Sequence, residues 1–398
     1  MDPLRVLVTA NAASSHYYCM VPFAWALRAA GHEVRVAVPP RLADAVRESG
    51  LVAWPLGEDL DLGPIPRSGA TAVAGTTGDA ARARMAQTGG RFIQHAGAMA
   101  GELLAACRQW RPDLVVHEPT AVAGPLVASA LDVPSVCHRW GVDVGRAVIE
   151  AAVPALRQLY LAYNIRYKGV DSDFVVDPCP PSLQDPSVPP GEHVRYVSYG
   201  GGGRVPPRIP FVPGRPRVVL TMGTIAGALG GMDVVRGLMD VLLGMGMQVV
   251  IAVLAEQRAE LGYVPEGAVA LASYPLEDLI ADADLVAHHG GAGTTMTCVA
   301  HGVPQLVVPY VGDSFVTAAR VEAAGAGLRV PIRDCSPERI EAAVQDLSAN
   351  TGYREAADRL RREMRSAPTV AEVAENVPKW VSSYREGERT WTTSACAG

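Results

Sequence analysis

Short apolar runs alternate with amphipathic stretches along this chain, and the alternation predicts strand–helix–strand units. Leu4-Arg5-Val6-Leu7-Val8-Thr9 reads as a buried strand, Cys19 to Ala30 as a helix capped by Gly31, and Glu33 to Val38 as a second strand. The same grammar returns about 213 residues later: Arg217 to Met222 as strand, Met232 to Met245 as helix, Gly246 as its stop, and Gln248 to Leu254 as strand. Two such openings predict two similar α/β halves, each a doubly wound parallel sheet covered by helices. A third apolar run, Leu285-Val286-Ala287, meets a glycine-rich turn and then a helical segment, Thr295 to His301.

Proline and glycine mark where the pattern stops. Pro178, Pro180, Pro181, Pro186, Pro189 and Pro190 precede Gly200-Gly201-Gly202-Gly203, so 178–214 reads as passage from strand to linker. The predicted organisation is 1–199 as a first domain, 200–214 as linker and 215–378 as a second domain, with a terminal segment of about 379–398 packing back on the first. Ligands bind outside the carboxyl ends of strands in such sheets, so a cleft between the halves is the expected site. Gly57 to Gly90 reads as an irregular excursion, either a lid over the cleft or a surface loop. Pro337 to Ala349, Gly352 to Met364 and Val370 to Tyr384 read as helices, the last broken at Pro378, and the tail Arg389 to Gly398 reads as disordered.

Composition narrows the class. Apolar residues make up 49% and charged residues 19% of 398, which suits a soluble globular protein. The net charge of −6 and the scatter of basic residues argue against a nucleic-acid or membrane partner. Seven dispersed cysteines without a CxxC pair read as free thiols in a reducing compartment, and the N-terminal apolar run is too short for a signal peptide. A cytoplasmic protein is the expectation.

Candidate chemistry clusters at predicted strand ends. His288-His289-Gly290-Gly291-Ala292-Gly293-Thr294-Thr295 places glycines where backbone can approach an anion and a helix start where free N–H groups point at it. His289 adds a donor and the threonines add hydroxyls; simple chain reversal reads the same glycines. His16, in the loop Asn11 to Tyr17 after the first strand, suits a general base or a helix-entry hydrogen bond. Glu118 closes the strand Leu114 to His117 and suits either a partner for the His16 ring or an exposed loop acid; alternation aims His117 away. Gly223 and Thr224 end the first strand of the second half, where small residues permit phosphate approach. Neither half carries GxGxxG, which weighs against nicotinamide or flavin chemistry. Asp313-Ser314 follows the buried run Gln305 to Pro309 and reads as a sugar-hydroxyl ligand or a helix N-cap.

Taken together, these blocks resemble the family-1 glycosyltransferases of actinomycete natural-product pathways over essentially the whole chain. The resemblance rests on His16 to Pro22 with Gly31-His32-Glu33-Val34, on Arg139-Trp140-Gly141-Val142-Asp143 and on Asp177 to Leu183. Most specifically it rests on His289 to Thr294 followed by Gly302-Val303-Pro304-Gln305-Leu306. It implies a GT-B fold, two Rossmann-like domains facing a central cleft, with acceptor in the first and a dTDP-activated sugar in the second. His16 would deprotonate the acceptor and Glu118 would orient it. His289, Gly291, Ala292, Gly293, Thr294, Gly223 and Thr224 would hold the diphosphate, and Tyr274-Pro275-Leu276 the base. Tyr17 and Trp140 would line an apolar acceptor pocket. No cofactor and no metal are implied; the partners are nucleotide sugar and aglycone, with room for a homodimer or a helper protein.

Two departures from the family stand out. Glu118 replaces its usual Asp, and Asp313-Ser314 replaces an Asp-Gln pair, which implies a sugar with fewer hydroxyls, a 6-deoxy or 2,6-dideoxyhexose. A nucleotide-binding auxiliary homologue and a nucleotide-sugar 2-epimerase are the alternative readings.

Overall fold

The computed structural model describes residues 2–60, 78–223, 232–310 and 312–387. The first sheet contains β1 (Arg5–Thr9), β2 (Glu33–Val38), β3 (Val52–Pro55), β4 (Leu114–His117), β5 (Ser135–His138), β6 (Phe174–Asp177) and β7 (Glu192–His193). The second contains β8 (Arg217–Thr221), β9 (Gln248–Val253), β10 (Ala268–Ala272), β11 (Leu285–His288), β12 (Gln305–Val307) and β13 (Gly327–Arg329). Their spatial orders, β3-β2-β1-β4-β5-β6-β7 and β10-β9-β8-β11-β12-β13, correspond strand for strand through the sixth, and every described pairing is parallel.

Period-two geometry explains why these strands are apolar throughout. Val6 and Val8 enter the core beneath the helix Val21–Ala29, while Leu7 between them enters the core beneath the helices Asp79–Trp110 and Ala123–Leu131. In the second sheet Val218 and Leu220 face one cluster and Val219 the other. Strand order reverses between β1 and β4 and between β8 and β11, which opens a crevice at the carboxyl end of each sheet. Thr9 there pairs with His117, and Thr221 with His288.

Three expectations about elements change. The excursion read as 57–90 is shorter, because a 32-residue helix already begins at Asp79. Gly89, placed by the sequence in that excursion, sits mid-helix where a Cβ would come within 2.5 Å of the Val148 carbonyl oxygen; glycine serves close helix packing there. The centre of the proposed lid, 61–77, lies outside the described residues, as do Thr224 and 388–398, which hold the tail read as disordered. The terminal helix runs unbroken through Pro378 from Val370 to Arg385. Its return to the first domain starts well before 379: Val373, Ala374, Val377 and Val381 enter the core around β1, against the helix Val21–Ala29. Thr369 and Glu372 cap its start reciprocally.

Between His193 and Arg217 the described chain is neither strand nor helix, and the linker segment lies within it. The halves also meet directly. Val142, Cys179 and Leu183 of the first pack with Met296, Val299 and Val321 of the second in one apolar cluster. Among the described residues no helix is long and apolar enough to cross a membrane.

Candidate active site

The crevice of the first sheet holds a histidine–carboxylate pair. β1 delivers its chain end to the short helix Ser14–Tyr18, which carries His16, and Glu118 follows the neighbouring β4. The two residues are 102 apart in sequence, yet His16 Nδ1 lies 3.2 Å from Glu118 Oε1. Glu118 is 0% exposed and is held at both oxygens. Asn11 Nδ2 donates to Oε1 at 2.9 Å, and the Thr120 amide donates to Oε2 at 2.6 Å. The Thr120 hydroxyl donates to Oε2 at 2.9 Å. Burial alone would raise this carboxyl, but the charge and hydrogen bond of His16 and the Thr120 donors outweigh it and hold the pKa below the ordinary value. Burial likewise opposes protonation of His16, and the Glu118 carboxylate overcomes it, so the imidazole pKa is raised; Asp313, across the cleft, adds to the rise. With Nδ1–H donated to Glu118, Nε2 carries the lone pair, the tautomer a base requires.

His117, the rival in β4, is turned away: Nδ1 bonds the Glu118 carbonyl at 2.9 Å and Nε2 the Ser172 hydroxyl at 2.8 Å. The Trp140 ring centroid lies 4.4 Å from that of His16, and Phe92 closes the other approach at 5.8 Å. Tyr17 requires correction as an acceptor contact. It is 0% exposed and its hydroxyl pairs with Ser49 Oγ at 2.6 Å, because the residue after His16 on a helix points into the core.

The crevice of the second sheet repeats the geometry. His289 follows β11 as Glu118 follows β4, and Gly223 follows β8 as the His16 loop follows β1. The His289 ring is wedged between Gly223, at φ +71°, and Gly291, where a Cβ would sit 2.5 Å from Nε2. Only residues without a side chain leave room for the ring. Burial lowers its pKa to about 4, so near neutrality it is an uncharged hydrogen-bonding group. Its Nδ1 is buried with no partner among the described residues. Gly291 caps the helix Ala292–His301, no side chain closes that end, and the amides of Ala292, Gly293 and Thr294 are its first donors.

Asp313, second residue of the helix Gly312–Ala323, is exposed at the cleft. Desolvation raises its carboxyl, with its own backbone amide and His16 pulling the other way. Ser314 requires correction as a sugar ligand: it is 1% exposed, and its Oγ accepts the Tyr310 amide at 3.2 Å, closing the turn after β12. Tyr274 and Pro275 precede the helix Leu276–Ile280. Arg204 of the linker lies over the Tyr274 ring at 5.6 Å, and Gly203 packs on Pro275.

Several supports escape sequence reading. His288, fully buried, bonds Gln305 Oε1 through Nε2 at 2.9 Å and accepts the Gly290 amide on Nδ1 at 3.1 Å, holding the turn from below. Gln257 Nε2 donates to the Gly223 carbonyl at 3.0 Å. Arg139 binds Asp143, Asp177 and the Pro189 carbonyl, all within 2.9 Å, and anchors the Trp140 loop. Adjacency of Thr120 to Glu118 was a visible signal; the long-range partners had none. No cluster of three or more His, Cys, Asp or Glu side chains suited to a metal ion occurs among the described residues.

Two parallel-sheet α/β domains, each with a crevice at its strand ends, are the architecture of the GT-B fold. Models of the erythromycin biosynthesis protein CIII-like N-terminal and C-terminal domains match residues 25–223 and 236–379. The 10-deoxymethynolide desosaminyltransferase of Streptomyces venezuelae is 33% identical, with 96% of this chain and 98% of that one covered. The L-demethylnoviosyl transferase of Streptomyces niveus is 35% identical, covering 94% and 97%. Spinosyn rhamnosyltransferase SpnG complexed with thymidine diphosphate superposes with a TM-score of 0.82 at 31% identity, over 94% of this chain and 100% of that one. The chain belongs to the erythromycin biosynthesis protein CIII-like family of natural-product glycosyltransferases.

Proposed function

We propose that this glycosyltransferase moves a deoxyhexose from a dTDP-sugar onto a polyketide or similar apolar aglycone with inversion, and that His16 is the general base. The observation that carries the reading is the pair of part-exposed His16 and buried Glu118 at the β1/β4 crevice, with Asp313 of the second domain adding to the rise in the His16 pKa. The relatives' names support a deoxysugar, and the thymidine diphosphate complex supports the nucleotide.

His16 Nε2 takes the acceptor hydroxyl proton while that oxygen forms its bond to the anomeric carbon. The bond from the anomeric carbon to the diphosphate breaks, and its electron pair leaves with dTDP. Glu118 holds the resulting imidazolium. The amides of Ala292, Gly293 and Thr294, with neutral His289, receive the departing charge through hydrogen bonds at a helix N-terminus. Gly223 and Gly291 make room for the His289 ring that faces the diphosphate, with Thr224 as a further diphosphate ligand; Tyr274, Pro275 and Leu276 border the base, Asp313 takes sugar hydroxyls and Trp140 walls the acceptor. This chemistry needs no metal ion or further cofactor.

His16→Ala is expected to lower kcat by roughly 10²–10⁴-fold, while calorimetry shows dTDP binding unchanged and tighter than UDP. An unaltered rate overturns the assignment of the base. Product from dTDP-sugar without acceptor would favour the epimerase instead.

A further inference from the structure

Trp140 has an unusual placement for a pocket wall. Its ring centroid lies 4.4 Å from the His16 ring at an interplanar angle of 54°, closer than Phe92. The indole Nε1 is buried without a partner among the described residues, so the ring's polar edge does not set its position. Its backbone does. Arg139, the residue before it, is tied into Asp143, Asp177 and Pro189, and Gly141, the residue after it, packs against Met296 of the helix Ala292–His301. The indole is thereby clamped beside the imidazole from both domains.

An aromatic face attracts a cation within about 6 Å of its centroid, an effect that grows where water is excluded. We propose that Trp140 is a positioning residue whose indole ring, its centroid 4.4 Å from that of the imidazole, stabilises the imidazolium formed on His16 during proton transfer, working beside the Glu118 carboxylate. The inference rests on His16 being the base. Among the described residues, the charged groups acting on the His16 ring are Glu118 on the β4 side and Asp313 from the second domain; the nearby Cys19 thiol donates to the His16 backbone carbonyl at 3.0 Å. Glu118 and Asp313 favour the cation through charge. Trp140 favours it without adding a second buried carboxylate that would need its own partners.

The test compares Trp140→Leu with Trp140→Phe in the full-length protein. The His16 imidazole is followed by NMR of histidine-labelled protein, its signal assigned by its loss in His16→Ala. Trp140→Leu is expected to move the His16 midpoint to lower pH and to lower kcat by roughly 2–30-fold, the size of such contacts. Trp140→Phe, which keeps a face, is expected to restore most of both. If Trp140→Leu titrates as the parent does, the proposal is overturned, whatever happens to kcat. An equal loss in both variants with an unmoved midpoint would likewise overturn it and make the ring a wall only. Failure of the base reading is separate, since it appears as turnover surviving in His16→Ala.

Discussion

Glu118 shows what the longer carboxylate does here. Its two oxygens are gripped by Asn11, Thr120 and His16 at once, so the extra methylene is matched by a frame built around it. Glu118→Asp therefore pulls the carboxylate away from either Thr120 or His16 and is expected to behave as a defective variant. Glu118→Gln removes the charge that raises the His16 pKa. Because the base must be unprotonated, kcat/KM of the parent is expected to fall as pH drops through a midpoint above 6.5, the ordinary histidine value. In Glu118→Gln this acid limb moves to lower pH and the plateau drops by roughly a hundredfold, within the range of general-base contributions. A pH–rate profile with an unmoved limb would remove Glu118 from the mechanism. The ion pair's share of stability has the opposite sign for histidine: it is complete below 6.5 and fades as pH rises through the raised folded midpoint.

The donor turn works through what its glycines omit. His289 occupies space that a Cβ at Gly223 or Gly291 would fill, and His288 with Gln305 fastens Gly290 beneath it. Gly291 has φ −64°, which any residue adopts, so alanine there is opposed by the His289 ring and not by backbone strain. Gly291→Ala is expected to displace the ring and weaken dTDP binding by roughly tenfold, about the 1.4 kcal/mol of one hydrogen bond, with the melting temperature barely changed. Calorimetric titration beside a thermal melt checks both halves of that statement. A large loss of melting temperature would mean that the turn is a folding element first.

Across the two domains, the buried Arg139 knot joins the ends of β5 and β6 to the loop that meets the second domain. Removing the guanidinium leaves Asp143 and Asp177 buried without their cation, and uncompensated charges of this kind cost about 3–5 kcal/mol. Arg139→Met is expected to lose stability of that order in urea unfolding and to lower activity as the Trp140 loop loosens. The matching strand orders give each sheet a crevice of the same kind: strand order reverses beside β1 and beside β8, and His16 and Glu118 in one half, Gly223 and His289 in the other, follow the strands that flank that point.

Period-two apolar runs, the repeated strand–helix–strand opening and the glycine turn before Ala292 were legible in the chain, because strand and helix periodicity is local chemistry. So was the placement of His16, Glu118 and His289, since residues just beyond buried strands fall at a crevice in any parallel sheet. Other features depended on neighbours distant in sequence. Tyr17 and Ser314 are polar residues beside the site whose hydroxyls turn inward to Ser49 and Tyr310. Gly89 reads as part of an irregular excursion until the helix packed against it is known. His288 with Gln305, Gln257 with Gly223, and Arg139 with Asp177 and Pro189 support the site through partners 17 to 50 residues away, a distance no periodicity spans. Local sequence determined which segments are strands and which loops follow their carboxyl ends; packing decided which side chains face the cleft, because burial and hydrogen-bond satisfaction are settled only when the sheets and helices meet.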